Sequence, residues 1–450
     1  MKSIISFIFD ADSLAGKIIC PLIYILLYDF IYEEYIWGVF GYMRGIDYIP
    51  MDFFKRVSWI ILSVLPMIFY HRINELSTFI CLFVYIFVYI PFIHALFVIY
   101  GFPLSLVYAY TTILCIFFIL YFQIDRIPLI KNIQLGPVVP IYIVEIITLL
   151  LTGIFVASRA GSMHFVNIFT QMDVLYDLRE QNSEKVGERN IILYLQGWLV
   201  GAFYPFLLIW YLKYKSHIKA TCILIGYILL FMVDMQKSTF FIPFLLITFY
   251  YLIKTKENVI CDRLHSIILL SISAISFILI IVSDSDNNSI LFTITSIVLL
   301  RTVCVTGWLT QMYVHFFQEN PYTYYSHINI VNAITNGYPY DVPLGMAVAY
   351  HNQNANATFF LTEGIASCGL TGIIITGFIF LAFLYILNSL CFRYHKSDIF
   401  VAFIPSLISL LNASIFSTLL TGGLFILLLL FGICNPQEME SGKIEISDSN

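Results

Sequence analysis

The chain has 450 residues, of which 60% are hydrophobic and only 11% carry a charged side chain. Soluble domains carry charge on about 25% of their residues, so this composition excludes a soluble globular protein and predicts an integral membrane protein. The formal net charge of -5 is small and gives no sign of a nucleic-acid partner. The nine cysteines form no CxxC pair, so neither a disulfide framework nor a metal site follows from them.

Apolar runs between charged residues predict an all-α, polytopic membrane helix bundle. A helix needs about 20 apolar residues to cross the hydrocarbon core of a bilayer. On that measure we predict about 12 transmembrane helices in a single integral membrane domain that covers residues 1–450. The predicted spans lie near 18–37, 57–70, 79–100, 104–122, 138–157, 191–212, 220–233, 240–253, 266–283, 364–390, 399–417 and 419–434.

The distribution of Lys and Arg predicts the orientation of these spans, because the cytoplasmic loops of membrane proteins are enriched in both. Twelve spans place both termini on one side of the membrane. That side holds 14 of the 23 Lys and Arg residues. We therefore predict that both termini are cytoplasmic, including a C-terminal tail over 435–450.

The basic residues on the predicted outer side are mainly arginines. Six of these nine residues are Arg, against four of fourteen on the inner side; the nine are Arg44, Lys55, Arg56, Arg159, Arg179, Lys185, Arg189, Lys237 and Arg301. A guanidinium group binds two phosphate oxygens at once, which an ammonium group cannot do. The bias indicates that the outer face binds an anion such as a lipid diphosphate. Chance in a sample of nine is the alternative.

Two predicted outer loops are long and cover about 158–190 and 284–363. Within the second, Ile290 to Leu300 is too short to span a bilayer, so we expect it to lie in the interface or to re-enter the membrane, with Arg301 at its end. Irregular backbone at membrane depth persists only where protein or water satisfies it, so a re-entrant piece would imply a cavity. Prolines predict turns and short helices in the rest of this loop.

The second loop also contains side chains suited to binding sugars and moving a proton. Tyr324, Tyr325, Asn354 and Asn356 are candidate sugar-binding residues. His351 and His327 are candidate general bases, because an unperturbed imidazole titrates near neutrality. Glu363 and Asp341 are carboxylate candidates for the same role. The alternatives are a hydrogen-bonded surface histidine in each case, an N-terminal helix charge for Glu363, and an interfacial anchor for Arg301.

Other titratable residues and motifs give weaker indications. Glu145 lies within a predicted span, where a carboxyl must be protonated or paired. No nucleotide-binding, dinucleotide-binding or metalloprotease motif is present in the sequence. We therefore predict no cofactor and no metal.

In layout and in three short segments the chain resembles the O-antigen or oligosaccharide repeat-unit polymerases of the Wzy type. The layout is twelve spans with a large outer loop before the last three. The segments are Arg301 followed by Tyr313 to Phe317 and Asn320-Pro321, the Asn-rich run from Asn354 to Gly372, and Thr421-Gly-Gly423 before the final span. An Arg-x10-Gly pattern claimed for some members is absent, since Thr170 and Asn190 stand at that offset from Arg159 and Arg179.

The resemblance implies a polymerase that joins oligosaccharide units carried on undecaprenyl diphosphate, at the outer face of the bacterial inner membrane. It implies that outer arginines hold the diphosphates, a role that would fall to Arg159, Arg179 and Arg301 in this sequence. Membrane lipid and a chain-length regulator protein would be further partners. The alternatives are a flippase for lipid-linked oligosaccharides and an O-antigen ligase.

We predict that Arg301→Ala abolishes long polymer while the protein remains inserted in the membrane. Arg301→Lys keeps the positive charge but cannot bind two phosphate oxygens at once, so it should have more activity than Arg301→Ala and less than wild type. The measurement is the polysaccharide ladder on a gel, with membrane fractionation as the control for insertion. Normal chain length in Arg301→Ala would contradict the assigned role.

Overall fold

The computed structural model describes residues 9–130, 133, 135–164, 191–283, 289–350, 354–356 and 358–434. Their regular secondary structure is helical throughout and includes no strand, which confirms the predicted all-α fold. Nine helices in this part of the chain are long and apolar enough to cross a membrane. They are α1 Leu14–Phe40, α3 Leu76–Val98, α4 Leu104–Arg126, α5 Ile141–Ser158, α6 Tyr194–Lys213, α7 His217–Asp234, α8 Lys237–Val282, α9 Ile290–Phe316 and α12 Phe360–Cys391.

Shorter helices complete the described chain. They are α2 Phe53–Ile68, α10 Asn329–Thr335, α11 Leu344–Val348, α13 Lys396–Ala402, α14 Ile404–Asn412, α15 Ile415–Leu420 and α16 Leu424–Ile433. The starts of α1 and α2 follow the usual capping chemistry, in which a side-chain oxygen accepts from a free N–H of the first turn. Ser13 accepts from the amide of Gly16, and Asp52 accepts from the amide of Lys55.

The number of candidate spans among the described residues differs from the predicted twelve for local reasons. The predicted spans 240–253 and 266–283 lie on either side of a kink within α8, where Lys256 leaves helical geometry. The predicted span 399–417 is divided among α13, α14 and α15, and α2 and α16 are shorter than a full span. Counting apolar residues between charges does not detect breaks inside an apolar run.

The prediction for Ile290 to Leu300 is wrong in one respect, because this segment does not end at Arg301. It continues as α9 to Phe316, with a π-helical stretch at Ile297–Cys304 that contains Arg301. The predicted outer loop 284–363 therefore contains a long helix. Residues 165–190 of the other predicted loop, residues 284–288, and the predicted tail 435–450 lie outside the described residues.

The chain divides into two compact units. Unit 1 comprises Met1–Pro128, Asn258–Ile386 and Leu410–Ile415, and unit 2 comprises Leu129–Glu257, Leu387–Ser409 and Phe416–Asn450. The single-domain organisation expected from the sequence stays a prediction.

Tyrosine hydroxyls bonded to backbone carbonyls hold the core of unit 1 together. Tyr85 donates to the Ser63 carbonyl and Tyr89 to the Leu62 carbonyl, each at 2.7 Å, and Tyr24 donates to the Ile86 carbonyl at 3.2 Å. These rings are almost fully buried. A buried tyrosine needs a partner for its hydroxyl, and a carbonyl on a neighbouring helix supplies one without any charge. The bonds join α1, α2 and α3.

Helix α9 contacts α1 and α3 in opposite orders. Tyr24 meets Ile86 and Asp29 meets His94, so α1 and α3 run in the same direction. The first half of α9 contacts the end of α1, where Phe292 lies against Phe40 and Ser296 against Tyr35. The second half contacts α3 and the turn after it. There Thr306 donates to the Phe87 carbonyl, and His315 lies against Phe102. As the residue number rises along α9, its contacts move toward the N-terminus of α1 and then toward the C-terminus of α3. This order indicates that α9 changes direction in the π-helical stretch and that both its ends lie toward the same end of unit 1.

Close backbone contact through glycine organises unit 2. A Cβ atom at Gly197 of α6 would overlap the Thr421 carbonyl oxygen, and one at Gly201 would overlap the Gly422 carbonyl oxygen. Gly423 has φ +80, a conformation that favours glycine. The segment Thr421-Gly-Gly423 is thus the turn that lies directly on α6.

The Glu145 carboxyl forms an ion pair within unit 2. It accepts from Lys219 Nζ at 2.7 and 3.0 Å, which confirms the expectation that it is protonated or paired. The pair is partly exposed, and Glu145 lies one turn into α5, which begins at Ile141. The residue is therefore near a helix end and not in the middle of a span.

We predict that Gly197→Ala destabilises the protein by about 1 to 3 kcal/mol, the usual cost of adding a methyl group where no space exists. Gly153→Ala is the matched control, because nothing lies within 4 Å of the Cβ position at Gly153. The control should be neutral or stabilising, since Ala favours helix over Gly by about 1 kcal/mol. Thermal unfolding in detergent measures both. Equal unfolding temperatures for the two variants would contradict the contact.

Candidate functional site

A cavity of about 180 Å³ with both polar and apolar lining residues lies at one end of unit 1. It is formed by the loop after α1, the turn between α3 and α4, the C-terminal part of α9, and the residues after α11. Its polar lining consists of Arg44, Asp47, Tyr100, Gln311, His315 and Tyr350. The cavity thus combines a guanidinium, a carboxyl, an imidazole, an amide and two phenol rings.

Side chains of α9 hold the loop that supplies Arg44. Trp308 Nε1 donates to the Arg44 carbonyl at 3.0 Å, and Gln311 Nε2 donates to the Gly45 carbonyl at 2.9 Å. Gly45 has φ +83, and a Cβ there would lie 2.8 Å from Gln311 Nε2. Glycine is therefore required at position 45, both for the backbone angle and for the approach of the amide. Since its carbonyl is bonded, the Arg44 backbone has a defined position beside the cavity.

The Arg44 guanidinium lies over an aromatic ring. Its central carbon is 3.6 Å from the centre of the Tyr350 ring. Tyr350 has φ +52, a conformation that costs a residue other than glycine free energy and persists where the surroundings impose it. Its ring also meets Phe316 edge to face, with centroids 5.7 Å apart. Arg44 is exposed, so an anion can reach its N–H donors.

A buried ion network lies next to this loop. Asp29 accepts from His94 Nε2 at 2.8 Å, and its second oxygen accepts from Arg56 at 3.2 Å. Tyr48 donates to Asp29 at 3.4 Å and is within 3.2 Å of Glu33. Burying a carboxylate is costly unless cations and donors offset it, and here both are present. Because Tyr48 belongs to the same loop as Arg44, the network also fixes the loop from its other side.

Helix α12 is not a single straight helix but a hairpin. Cys368 and Gly369 leave helical geometry, with φ -153 and +62. Phe360 stacks on Phe380 with centroids 4.0 Å apart, and a Cβ at Gly364 would lie 2.6 Å from the Gly372 carbonyl carbon. In a straight helix residues 364 and 372 would be about 12 Å apart. Residues 360–367 therefore form a half-helix folded back against the long arm of α12.

The extended segment that leads into the half-helix is partly buried, and Ala355 in it is hydrogen-bonded. Ala355 and Phe359 have no exposed surface. The Ala355 amide donates to the Gly345 carbonyl at 3.0 Å, and its carbonyl accepts from the Tyr313 hydroxyl at 3.2 Å. Non-helical backbone at membrane depth requires such partners. The backbone of Ala355 has such partners on both its amide and its carbonyl.

Glu363 lies in the first turn of the half-helix and is 5% exposed. The Ser414 side chain hydrogen-bonds to its carboxyl, and Oε2 has no partner among the described residues. The effective cost of taking an ionised carboxylate out of water is several kcal/mol, whereas a helix N-terminus returns about 0.3 to 1 kcal/mol. Burial therefore prevails, and the carboxyl is neutral in this conformation. Its role as a general base stays a prediction, and it requires exposure of this buried group.

His327 and Tyr325 lie beside the hairpin. His327 Nδ1 is 2.8 Å from the Thr323 hydroxyl, Nε2 is buried without a partner among the described residues, and burial lowers the pKa of the ring to about 4. The Tyr325 hydroxyl is 3.2 Å from the Thr376 hydroxyl, and its ring is 6.4 Å from that of His327. His327 is therefore neutral at pH 7 and a weak base in this conformation.

The remaining sugar-binding candidates have different surroundings. Tyr324 is 70% exposed, so its ring is accessible for stacking. Asn354 and Asn356 lie with their Oδ1 atoms over Gly345, in the space that a Cβ would occupy. Both asparagines are exposed. Gly345 is therefore the residue that permits this approach of the two amides.

The predicted diphosphate-binding arginines are not described together. Arg301 is exposed in the π-helical stretch of α9, in unit 1. Arg159 follows the end of α5 in unit 2, and burial lowers the pKa of its guanidinium. Arg179 and His351 lie outside the described residues. Their roles stay predictions.

The sequence reasoning missed His315, Asp47 and Tyr350 as site residues and counted Arg44 only among the outer arginines. These residues are separated by up to 306 positions and meet only through the packing of α9 against α3. A local signal existed in Arg44-Gly45, where a glycine follows an arginine directly after a helix. This dipeptide gave no information about which residues Arg44 contacts.

The described fold defines the class of protein: it is a multi-pass helical membrane protein. Comparison of the chain with family models, with curated proteins and with solved structures finds no match in any of the three. The function is therefore argued from the site itself.

We predict that the protein loses stability between pH 6.5 and 4 because of His327. The unfolded ring takes up a proton near pH 6.5, whereas the folded ring does so only near 4. Protonation therefore favours the unfolded state by about 2 kcal/mol at pH 5. His327→Gln should remove this part of the pH dependence of thermal unfolding. Exposed His217→Gln is the control and should retain it; identical pH profiles for His327→Gln and wild type would contradict the assignment.

Proposed function

We propose that the protein is a membrane glycosyltransferase that joins oligosaccharide repeat units carried on undecaprenyl diphosphate, in O-antigen or capsule synthesis. The observation that carries the proposal is the cavity in which Arg44, Asp47 and His315 occur beside Tyr100 and Tyr350. A guanidinium suits a diphosphate, and aromatic faces suit the C–H faces of a sugar. A carboxyl and an imidazole suit proton transfer.

The reaction needs no cofactor in this form. A hydroxyl of the acceptor sugar attacks the anomeric carbon of the donor unit. The new C–O bond forms while the bond from that carbon to the diphosphate oxygen breaks. Asp47 or His315 takes the hydroxyl proton, and Arg44 binds the diphosphate as negative charge develops on it. Preorganised donors aimed at developing charge contribute the largest part of many enzymatic rate enhancements.

The proposed location is the bacterial inner membrane, with both termini cytoplasmic and the cavity at the outer face. The Lys and Arg distribution predicts that the loop after α1, which contains Arg44, lies on the outer side, and this loop lines the cavity. Membrane lipid surrounds the protein in this proposal. A chain-length regulator protein is a further proposed partner, and Arg301, Arg159 and Arg179 remain proposed contacts of the lipid diphosphate.

A flippase for lipid-linked oligosaccharides is the second candidate, and one observation favours it. Transporters bind substrates and coupling ions at interrupted helices near the middle of the membrane, and the hairpin of α12 is such an interruption. An O-antigen ligase would use the same chemistry as the polymerase. It differs in its acceptor, which is the lipid core.

The first test is the polysaccharide ladder of a deletion strain complemented with cavity variants. We expect Arg44→Ala to reduce the rate of polymerisation about 100-fold, because loss of a charged hydrogen bond of about 3 kcal/mol corresponds to that factor. Arg44→Lys should recover part of it. Arg72→Ala is the matched control, since Arg72 is a partly exposed arginine between α2 and α3, paired with Asp262.

The deletion strain separates the three candidates. A ladder that collapses to single-unit-capped lipid supports a polymerase. Loss of the single-unit band as well contradicts the polymerase, and points to a flippase when lipid-linked units accumulate inside or to a ligase when they accumulate outside. Wild-type ladders in Arg44→Ala would remove the cavity from the proposal.

A further inference from the structure

Two interruptions of helical structure meet at Glu363. The first is the extended segment before the half-helix 360–367. The second is the gap between α14 and α15, where Ser414 is not helical and its side chain hydrogen-bonds to the Glu363 carboxyl. Residues 410–415 belong to unit 1 together with the hairpin. Interrupted helices that meet in the apolar part of a membrane protein are typical positions for coupling ions.

Among the residues that the structure describes, the groups around Glu363 offer it no positive charge. The titratable groups of the elements around the hairpin are Tyr121 of α4, Tyr313 of α9, Tyr322, Tyr325 and His327 in the segment after α9, and Cys368 in the hairpin turn. The tyrosines and the cysteine are neutral acids, and His327 is neutral as described above. Ion pairs among the described residues do not involve Glu363.

A proton fits this carboxyl better than a metal ion does. Hard metal cations take about six or more oxygen ligands, whereas the hydrogen-bond partner found here is the Ser414 hydroxyl. The buried Oε2 atom has no partner among the described residues. A proton on this carboxyl removes its charge without needing further ligands.

We propose that Glu363 is a proton-binding site and that loss of its proton opens the re-entrant hairpin to water. In this step the O–H bond of the carboxyl breaks, the electron pair stays on the carboxylate, and the proton passes to a water molecule at the opened face. The charged carboxylate cannot remain in the apolar contact between the two arms. The half-helix is the part that moves, because it joins the long arm through Gly369 at φ +62.

The contact that must open is a close one. The backbones of Gly364 and Gly372 touch, and Phe360 stacks on Phe380. With the carboxyl neutral, these contacts close the site. With the carboxyl ionised, hydration of Glu363 competes with them. The inference does not rest on the glycosyl transfer proposed above, which needs no proton-binding group at this position.

Infrared spectroscopy of the full-length protein in lipid tests the first half of the proposal. We expect a C=O stretching band of a protonated carboxyl at neutral pH that disappears on alkaline titration. Glu363→Gln should lack this band. Exposed Glu319→Gln is the matched control and should keep it. A wild-type protein without the band, or an unchanged band in Glu363→Gln, would overturn the proposal.

Ser414→Ala keeps the proposal testable if Glu363→Gln fails to insert. It removes the hydrogen bond to the carboxyl, so the band should move to higher frequency and remain present. An unmoved band would show that another carboxyl produces it, and would also overturn the assignment.

Hydrogen–deuterium exchange tests the opening step. At alkaline pH, peptides that cover 360–367 should exchange faster in wild type than in Glu363→Gln measured at the same pH, which removes the chemical effect of pH on exchange. Equal rates in the two proteins would overturn the opening step. Neither readout depends on polysaccharide synthesis. The glycosyltransferase proposal can therefore be contradicted by the ladders of the Arg44 variants while the proton-binding proposal is supported, and the reverse is also possible.

Discussion

Backbone polar groups in an apolar core have no water to bond with, and this constraint determines where the chain can depart from helix. In unit 1, uncharged side chains donate hydrogen bonds to backbone carbonyls where the chain departs from helix. Tyr313 donates to the Ala355 carbonyl in the extended segment. Trp308 and Gln311 donate to carbonyls in the loop after α1. All three side chains belong to α9, so one helix supports both irregular regions.

This shared support makes the cavity and the hairpin parts of one structural arrangement within unit 1. Helix α9 lies tightly against α3, where a Cβ at Gly307 would overlap Pro91. The tight contact places Gln311 and His315 at the cavity and Tyr313 at the extended segment. A change in the position of α9 would therefore alter the cavity and the hydrogen bonding of the re-entrant segment together.

The two regions favour different kinds of chemistry. The cavity has a cation, aromatic rings and proton-transfer groups, which is the chemistry of sugar and phosphate binding. The hairpin has a buried carboxyl at an interrupted helix, which is the chemistry of ion coupling. The proposal of a glycosyltransferase rests on the first, and the proposal of a proton-binding site rests on the second.

The sequence by itself determined the helical membrane class, because long apolar runs of low charge can satisfy their backbone only as helices. It also predicted that Glu145 is paired or protonated. Both features follow from the apolar composition of the surrounding chain. The tertiary structure alone decided that α12 folds back on itself, that Arg44 stacks on Tyr350, and that Asp29 bonds to His94. Each of these contacts depends on which segments pack against each other. A helix that is apolar on every face has no sequence pattern that shows which face contacts which neighbouring helix.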